Sequence, residues 1–114
     1  MQTTKVITNI SSQLEDNSGP ILFGHRLRSL RVERKMVQRE LAEKLNIDTP
    51  MFSKIELGVR RAKRSQVVQL AKLLNVSEKE LLTLWLADGV LNAVKDDREL
   101  GLAALKVAKK TIMP

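Results

Sequence analysis

Side chains able to do chemistry are unevenly chosen in this 114-residue chain. There is no Cys, no Tyr and a single His, His25. Disulfides, thiolate zinc sites and Cys nucleophiles are therefore excluded. His25 has no second His or Cys with which to share a metal or a catalytic proton, and it reads as an exposed or phosphate-facing residue. Asp96-Asp97 is an adjacent carboxylate pair, a pattern that caps a helix more readily than it divides acid and base roles. The abundant groups are cations: Lys plus Arg is 20 against 13 acids, a formal net charge of +7. Between Gly24 and Arg64 there are 12 basic and 5 acidic residues, again +7, while the remainder carries 8 of each and nets zero. A positive excess confined to one stretch makes a local field that attracts phosphate.

The elements that must position these cations are helical. Gly and Pro are sparse (5 and 3), aromatics are 3% of residues, and Leu, Ala, Lys, Arg and Glu dominate, a bias toward helix over strand. The polar stretch 1–20, closed by Gly19-Pro20, reads as a flexible arm with at most a short helix around Ile10 to Leu14. Phe23, Leu27 and Leu30 at helical spacing predict a first helix from Ile21 to Lys35. A short second helix runs from Gln38 to Leu45, with Asn46 suited to the left-handed residue beyond its end. Asp48 caps a third helix that carries Pro50 in its first turn and ends at Gly58. After the basic loop Val59–Arg64, a fourth helix opens at Ser65 and stops at Asn75. Ser77 and Glu80 form a capping box for a fifth, which Gly89 ends or bends. Asp96 and Glu99 repeat the capping signature ahead of a final amphipathic helix from Leu100 to Ile112. Lys106, Lys109 and Lys110 there suit the negative C-terminal dipole. The class is all-α, with no strand pattern and no internal repeat.

Two short helices joined by a tight turn, Gln38–Leu45 and Asp48–Leu57, form a helix-turn-helix. Ala42 is small where the helices would cross, and Ile47 can plug the angle between them. Phe52 and Ile55 turn inward, leaving Thr49, Pro50, Ser53, Lys54 and Leu57 facing out. Such a helix fits the major groove of duplex DNA, about 12 Å wide.

Residues 24–86 resemble the Cro/repressor-type (XRE-type) helix-turn-helix family of bacterial and phage transcription regulators. The matching residues are Leu30-Arg31, Gln38, Leu41-Ala42, Leu45, Ile47, Ser53-Lys54-Ile55-Glu56 and Gly58, then Leu70–Val76 and Glu80-Leu81-Leu82. The resemblance implies a lambda-repressor-like five-helix DNA-binding domain (21–87), here with an additional C-terminal helix in a dimerising extension (88–114). It implies that Thr49, Pro50, Ser53 and Lys54 lie nearest base edges, and that Gln38 braces DNA backbone and reading helix. Arg60, Arg61, Lys63 and Arg64 would meet phosphates, and Arg31 and Glu56 would form a buried ion pair orienting the third helix. Three departures stand out. Val37 replaces the usual Ser or Thr cap, a loss of about 0.5–2 kcal/mol. Leu57 stands where Asn is common. Pro50 and Met51 offer apolar surface for a thymine methyl.

A single such module binds weakly, so two copies are expected on a near-palindromic operator with reading helices roughly 34 Å apart. Leu82, Leu84, Trp85, Leu86, Val90 and Leu91 exceed what one helix can bury, which places the expected homodimer interface on Leu82, Trp85, Leu86, Val90 and Leu91. No cofactor, metal or catalysis is expected. The chain lacks a basic segment followed by an apolar block at its start and lacks a run of about 18 apolar residues, so a cytoplasmic protein without membrane contact is expected. Small size and the lack of a ligand-sized second domain resemble controller proteins of restriction–modification systems. The rival reading is an antitoxin-type protein that neutralises a partner toxin and autoregulates its operon.

Overall fold

The computed structural model describes residues 21–114; the expected arm, 1–20, lies outside them. The described residues form six helices and no strand: α1 (Leu22–Glu33), α2 (Gln38–Lys44), α3 (Thr49–Glu56), α4 (Arg64–Leu73), α5 (Glu78–Val94) and α6 (Arg98–Ile112). The fold is all-α and lambda-repressor-like.

One device ends four of the helices. Lys35, Asn46, Gly58 and Asn75 each take a left-handed φ, between 54° and 76°. At each, the amide of that residue and the next turn back onto carbonyls of the last turn, as in Asn46 N–H to Glu43 O at 3.1 Å and Ile47 N–H to Ala42 O at 3.0 Å. This doubled bond satisfies carbonyls that a helix end leaves free. The following residues Met36, Ile47 and Val76 then pack against the core. Asn46 and Asn75 were legible as stops; Lys35, expected inside α1, was not.

Helix starts follow the sequence with two shifts of register. The first is α4, which opens at Arg64 rather than Ser65, with Gln66 Oε1 accepting the Lys63 amide at 2.9 Å. The Asp48 carboxylate accepts from Met51 N–H at 2.7 Å, and Ser77 Oγ accepts from Glu80 N–H at 3.3 Å. Asp97, not Asp96, caps α6, accepting from Leu100 N–H at 2.9 Å. Val37 provides no acceptor, but Glu40 reaches back to accept the Val37 amide at 3.1 Å, so α2 keeps the reciprocal half of a capping box. Gly89 does not end α5, which runs for 17 residues and passes through the expected boundary between 87 and 88. A Cβ at Gly89 would lie 3.2 Å from the Arg61 guanidinium, so this glycine makes room for a side chain crossing the helix.

The core joins Phe23, Leu27 and Leu30 of α1, Leu41 and Ala42 of α2, Phe52 and Ile55 of α3, Val67, Leu70 and Ala71 of α4, and Leu81 of α5. Gly24 sets the depth of α3 against α1, since a Cβ there would sit 2.2 Å from the Glu56 carbonyl oxygen. An Arg26–Glu80 pair at 2.7 Å ties α1 to α5. Both partners are substantially exposed, so it contributes about 1 kcal/mol at most.

Candidate nucleic-acid interface

α2 and α3 meet across the Asn46 turn, and α3 divides cleanly into an inner and an outer side. Phe52, Ile55 and Glu56 are buried; Pro50, Lys54 and Leu57, at i, i+4 and i+7, are exposed. Thr49 and Ser53, also four apart, are half-buried beside that stripe. Met51 packs against the core instead, so of the two apolar residues expected to meet thymine methyls, Pro50 alone faces out.

The orientation of α3 is held by a polar network drawn from three helices. Glu56 accepts from Arg31 Nε at 2.7 Å and Nη2 at 3.1 Å, a bidentate pair, and from Gln38 Nε2 at 3.0 Å. Arg31 also donates from Nη1 to Met36 O at 3.0 Å, beyond the end of α1. The Arg31 and Glu56 side chains are 13% and 3% exposed. A carboxylate so far from water requires this full set of donors. Gln38 is thereby joined directly to the third helix.

The cations after α3 separate into two groups. Arg60, Arg61, Lys63 and Arg64 are all exposed, and they differ in what they touch. Arg64 opens α4, whose first turn holds no acid, so its charge adds to the partial positive charge of that helix terminus and favours an anion there. Arg61, expected to meet phosphate, is engaged by its own chain. Its guanidinium stacks 4.1 Å from the Trp85 ring centroid and donates to the Trp85 carbonyl at 3.0 Å, which turns it toward α5.

A family model described as a helix-turn-helix domain matches residues 24–85, the stretch that carries this geometry. The chain belongs to the helix-turn-helix family. Among curated proteins it is similar to an uncharacterized HTH-type transcriptional regulator, YqaE, of Bacillus subtilis (strain 168), at 31% identity over 61 residues, 54% of this chain and 53% of that protein. The chain spans about half the length of that curated relative. No solved structure matches.

Within this helix-turn-helix chain, the residues expected at a dimer interface are not equivalent. Leu82 and Trp85 are half-buried and pack against the chain's own core. The indole Nε1–H of Trp85 donates to Ala62 O at 2.8 Å, pinning the basic loop to α5. Leu91 is half-buried, whereas Leu86 and Val90 are 50% and 44% exposed.

Sequence reasoning also missed two participants. Arg28, with His25 beside it, lines an open groove of about 540 Å³ between α1 and α3, with Gln38 and Ser53 on its other wall. Arg28 was findable, because His25, Arg28, Ser29 and Val32 share one helix face opposite Phe23, Leu27 and Leu30. The second is Asp88, whose carboxylate accepts from Leu22 N–H at 2.8 Å and Phe23 N–H at 3.0 Å, capping α1 from α5. Burial raises its pKa above the usual carboxylate value, against the Phe23 and Leu22 amides and the Arg61 cation, which pull it down. Among the described residues no three His, Asp or Glu side chains gather as metal ligands, and no helix is long and apolar enough to cross a membrane.

Proposed function

We propose that this chain is a DNA-binding transcriptional regulator that lays α3 into the major groove. One observation carries the reading: the outward Pro50–Lys54–Leu57 stripe stands on a helix fixed by the Arg31–Glu56–Gln38 network, with the exposed cations Arg60, Lys63 and Arg64 beside it. Thr49, Ser53 and Lys54 would discriminate bases by hydrogen bond and Pro50 by apolar contact. Gln38, Arg28, Arg60, Lys63 and Arg64 would meet phosphates, giving affinity that falls steeply with salt. The likeness to the Bacillus protein, named as an uncharacterized HTH-type transcriptional regulator, supports the same assignment.

The finer reading is a homodimer on a near-palindromic operator, of the kind that controls a restriction–modification gene pair. Two modules are needed because each contributes few base contacts. Selection of bound sites from random duplex DNA tests both levels. The expected product is an inverted repeat with half-sites about one helical turn apart. Lys54→Ala should then weaken the selected site by about 1–3 kcal/mol while barely changing affinity for random duplex. Equal losses on both would remove Lys54 from base readout, and no enrichment in dilute buffer would overturn the assignment. Binding of the chain's own promoter without a second protein would set the controller reading above the antitoxin one.

A further inference from the structure

A groove of about 370 Å³ opens between α5 and the loop that follows α3, on the size scale of small-molecule sites, about 300–1,000 Å³. The buried side chains of Phe23 and Ile55 line its inner end. Three cations converge on it, Arg60, Arg61 and Lys95, and Asp88 is the one acid among the lining residues. Both Asp88 oxygens already accept from α1 amides. Among the described residues, Arg60 and Lys95 form no ion pair. A cleft lined mainly by one sign of charge over a low-dielectric wall focuses its field on a counter-ion.

The sequence of α5 marks the same wall. From Leu84 to Val94 its polar side chains are Asp88 and Asn92, four positions apart, and Lys95 follows three further on. All three line the groove. The hydrogen bonds along this wall belong to Asp88, Arg61 and Trp85, which leaves those of Asn92 and Lys95 unused among the described residues. Arg61 is already set as a receptor. Its guanidinium is stacked 4.1 Å from the Trp85 ring centroid and spends an Nη2 hydrogen on the Trp85 carbonyl. Its other N–H groups meet no acceptor among the described residues, so an oriented fork is available at little further ordering cost. Such a fork matches the two oxygens of a carboxylate or phosphate.

We infer that this groove binds a small organic anion, its carboxylate or phosphate held by Arg61 with Lys95 and Asn92 and its apolar body set toward Phe23 and Ile55. Occupancy of the groove is independent of the DNA-binding reading. One consequence rests on that reading: Arg60 lines the groove too, so a bound anion would neutralise a cation proposed to meet the duplex and would weaken DNA binding.

Trp85 is the only tryptophan, so its fluorescence reports occupancy directly in the full chain. Benzoate and phenyl phosphate should each give a saturable change with a midpoint on the order of a millimolar. Neutral benzyl alcohol should give none in that range. Arg61→Lys keeps the charge without the fork and should raise the midpoint severalfold. Lys95→Glu, at an exposed position, should raise it roughly tenfold with an unchanged helical circular dichroism signal. No saturable change with either anion would overturn the inference. So would benzyl alcohol matching the anions, inorganic phosphate matching phenyl phosphate, or a midpoint that neither variant moves. Phenyl phosphate that binds without weakening the selected duplex would remove the regulatory consequence alone. A chain that binds no duplex but still titrates with phenyl phosphate would defeat the DNA-binding reading and uphold the groove.

Discussion

Two buried carboxylates organise this molecule, and they are compensated differently. Glu56 is neutralised by a cation, gripped by both arms of Arg31 and a third donor from Gln38. Asp88 is satisfied chiefly by peptide dipoles, the first two amides of α1, with Arg61 acting on it as a nearby charge. The first arrangement fixes the helix proposed to read DNA. The second fixes where α1 begins and, through Arg61 and Trp85, where the basic loop runs. Compensation mainly by dipoles leaves the desolvation of Asp88 partly unopposed, and its pKa rises accordingly.

The largest test of the contrast is Arg31→Ala, which leaves Glu56 buried without its cation. It should cost about 3–5 kcal/mol in urea unfolding; a loss below 1 kcal/mol, on the order expected for a surface pair, would show that water reaches Glu56. Asp88→Ala orphans two amides and should cost about 1–3 kcal/mol. Its pH dependence has a definite sign. A carboxyl whose folded pKa is raised contributes stability that is present in acid and lost as pH rises through the folded value. The stability of wild type relative to Asp88→Asn should therefore improve as pH is lowered from neutral, and a change in the opposite direction would mean that the amides outweigh burial. Trp85→Phe keeps the ring but removes the bond to Ala62, for a loss of about 1 kcal/mol.

The smallest effect concerns neighbouring arginines. Arg60→Ala should reduce the salt slope of DNA binding by about 1, while Arg61→Ala should leave it nearly unchanged because that side chain is stacked on Trp85. Equal slopes for the two variants would return Arg61 to the phosphates.

Helix order and type, the turn at Asn46 and the Asp48 cap were legible because they depend on residues a few positions apart, where propensity and capping act. The Arg31–Glu56 pairing was legible only through the family pattern, since the partners are 25 positions apart. Gly89 misled because a glycine cleared for a crossing side chain is indistinguishable, in one dimension, from a glycine that breaks a helix. Likewise four consecutive-looking cations, Arg60, Arg61, Lys63 and Arg64, carry no mark showing which of them turns back.

By itself, then, the sequence determined the all-α class, the helix-turn-helix and the concentration of positive charge at one part of the chain, because local spacing and composition suffice for these. The tertiary structure alone decided that Asp88, some 66 positions from Leu22, caps α1, that Trp85 serves its own chain, and that α6 leaves its apolar side open. Each depends on which surfaces meet once the core has closed, and no short-range pattern encodes that meeting.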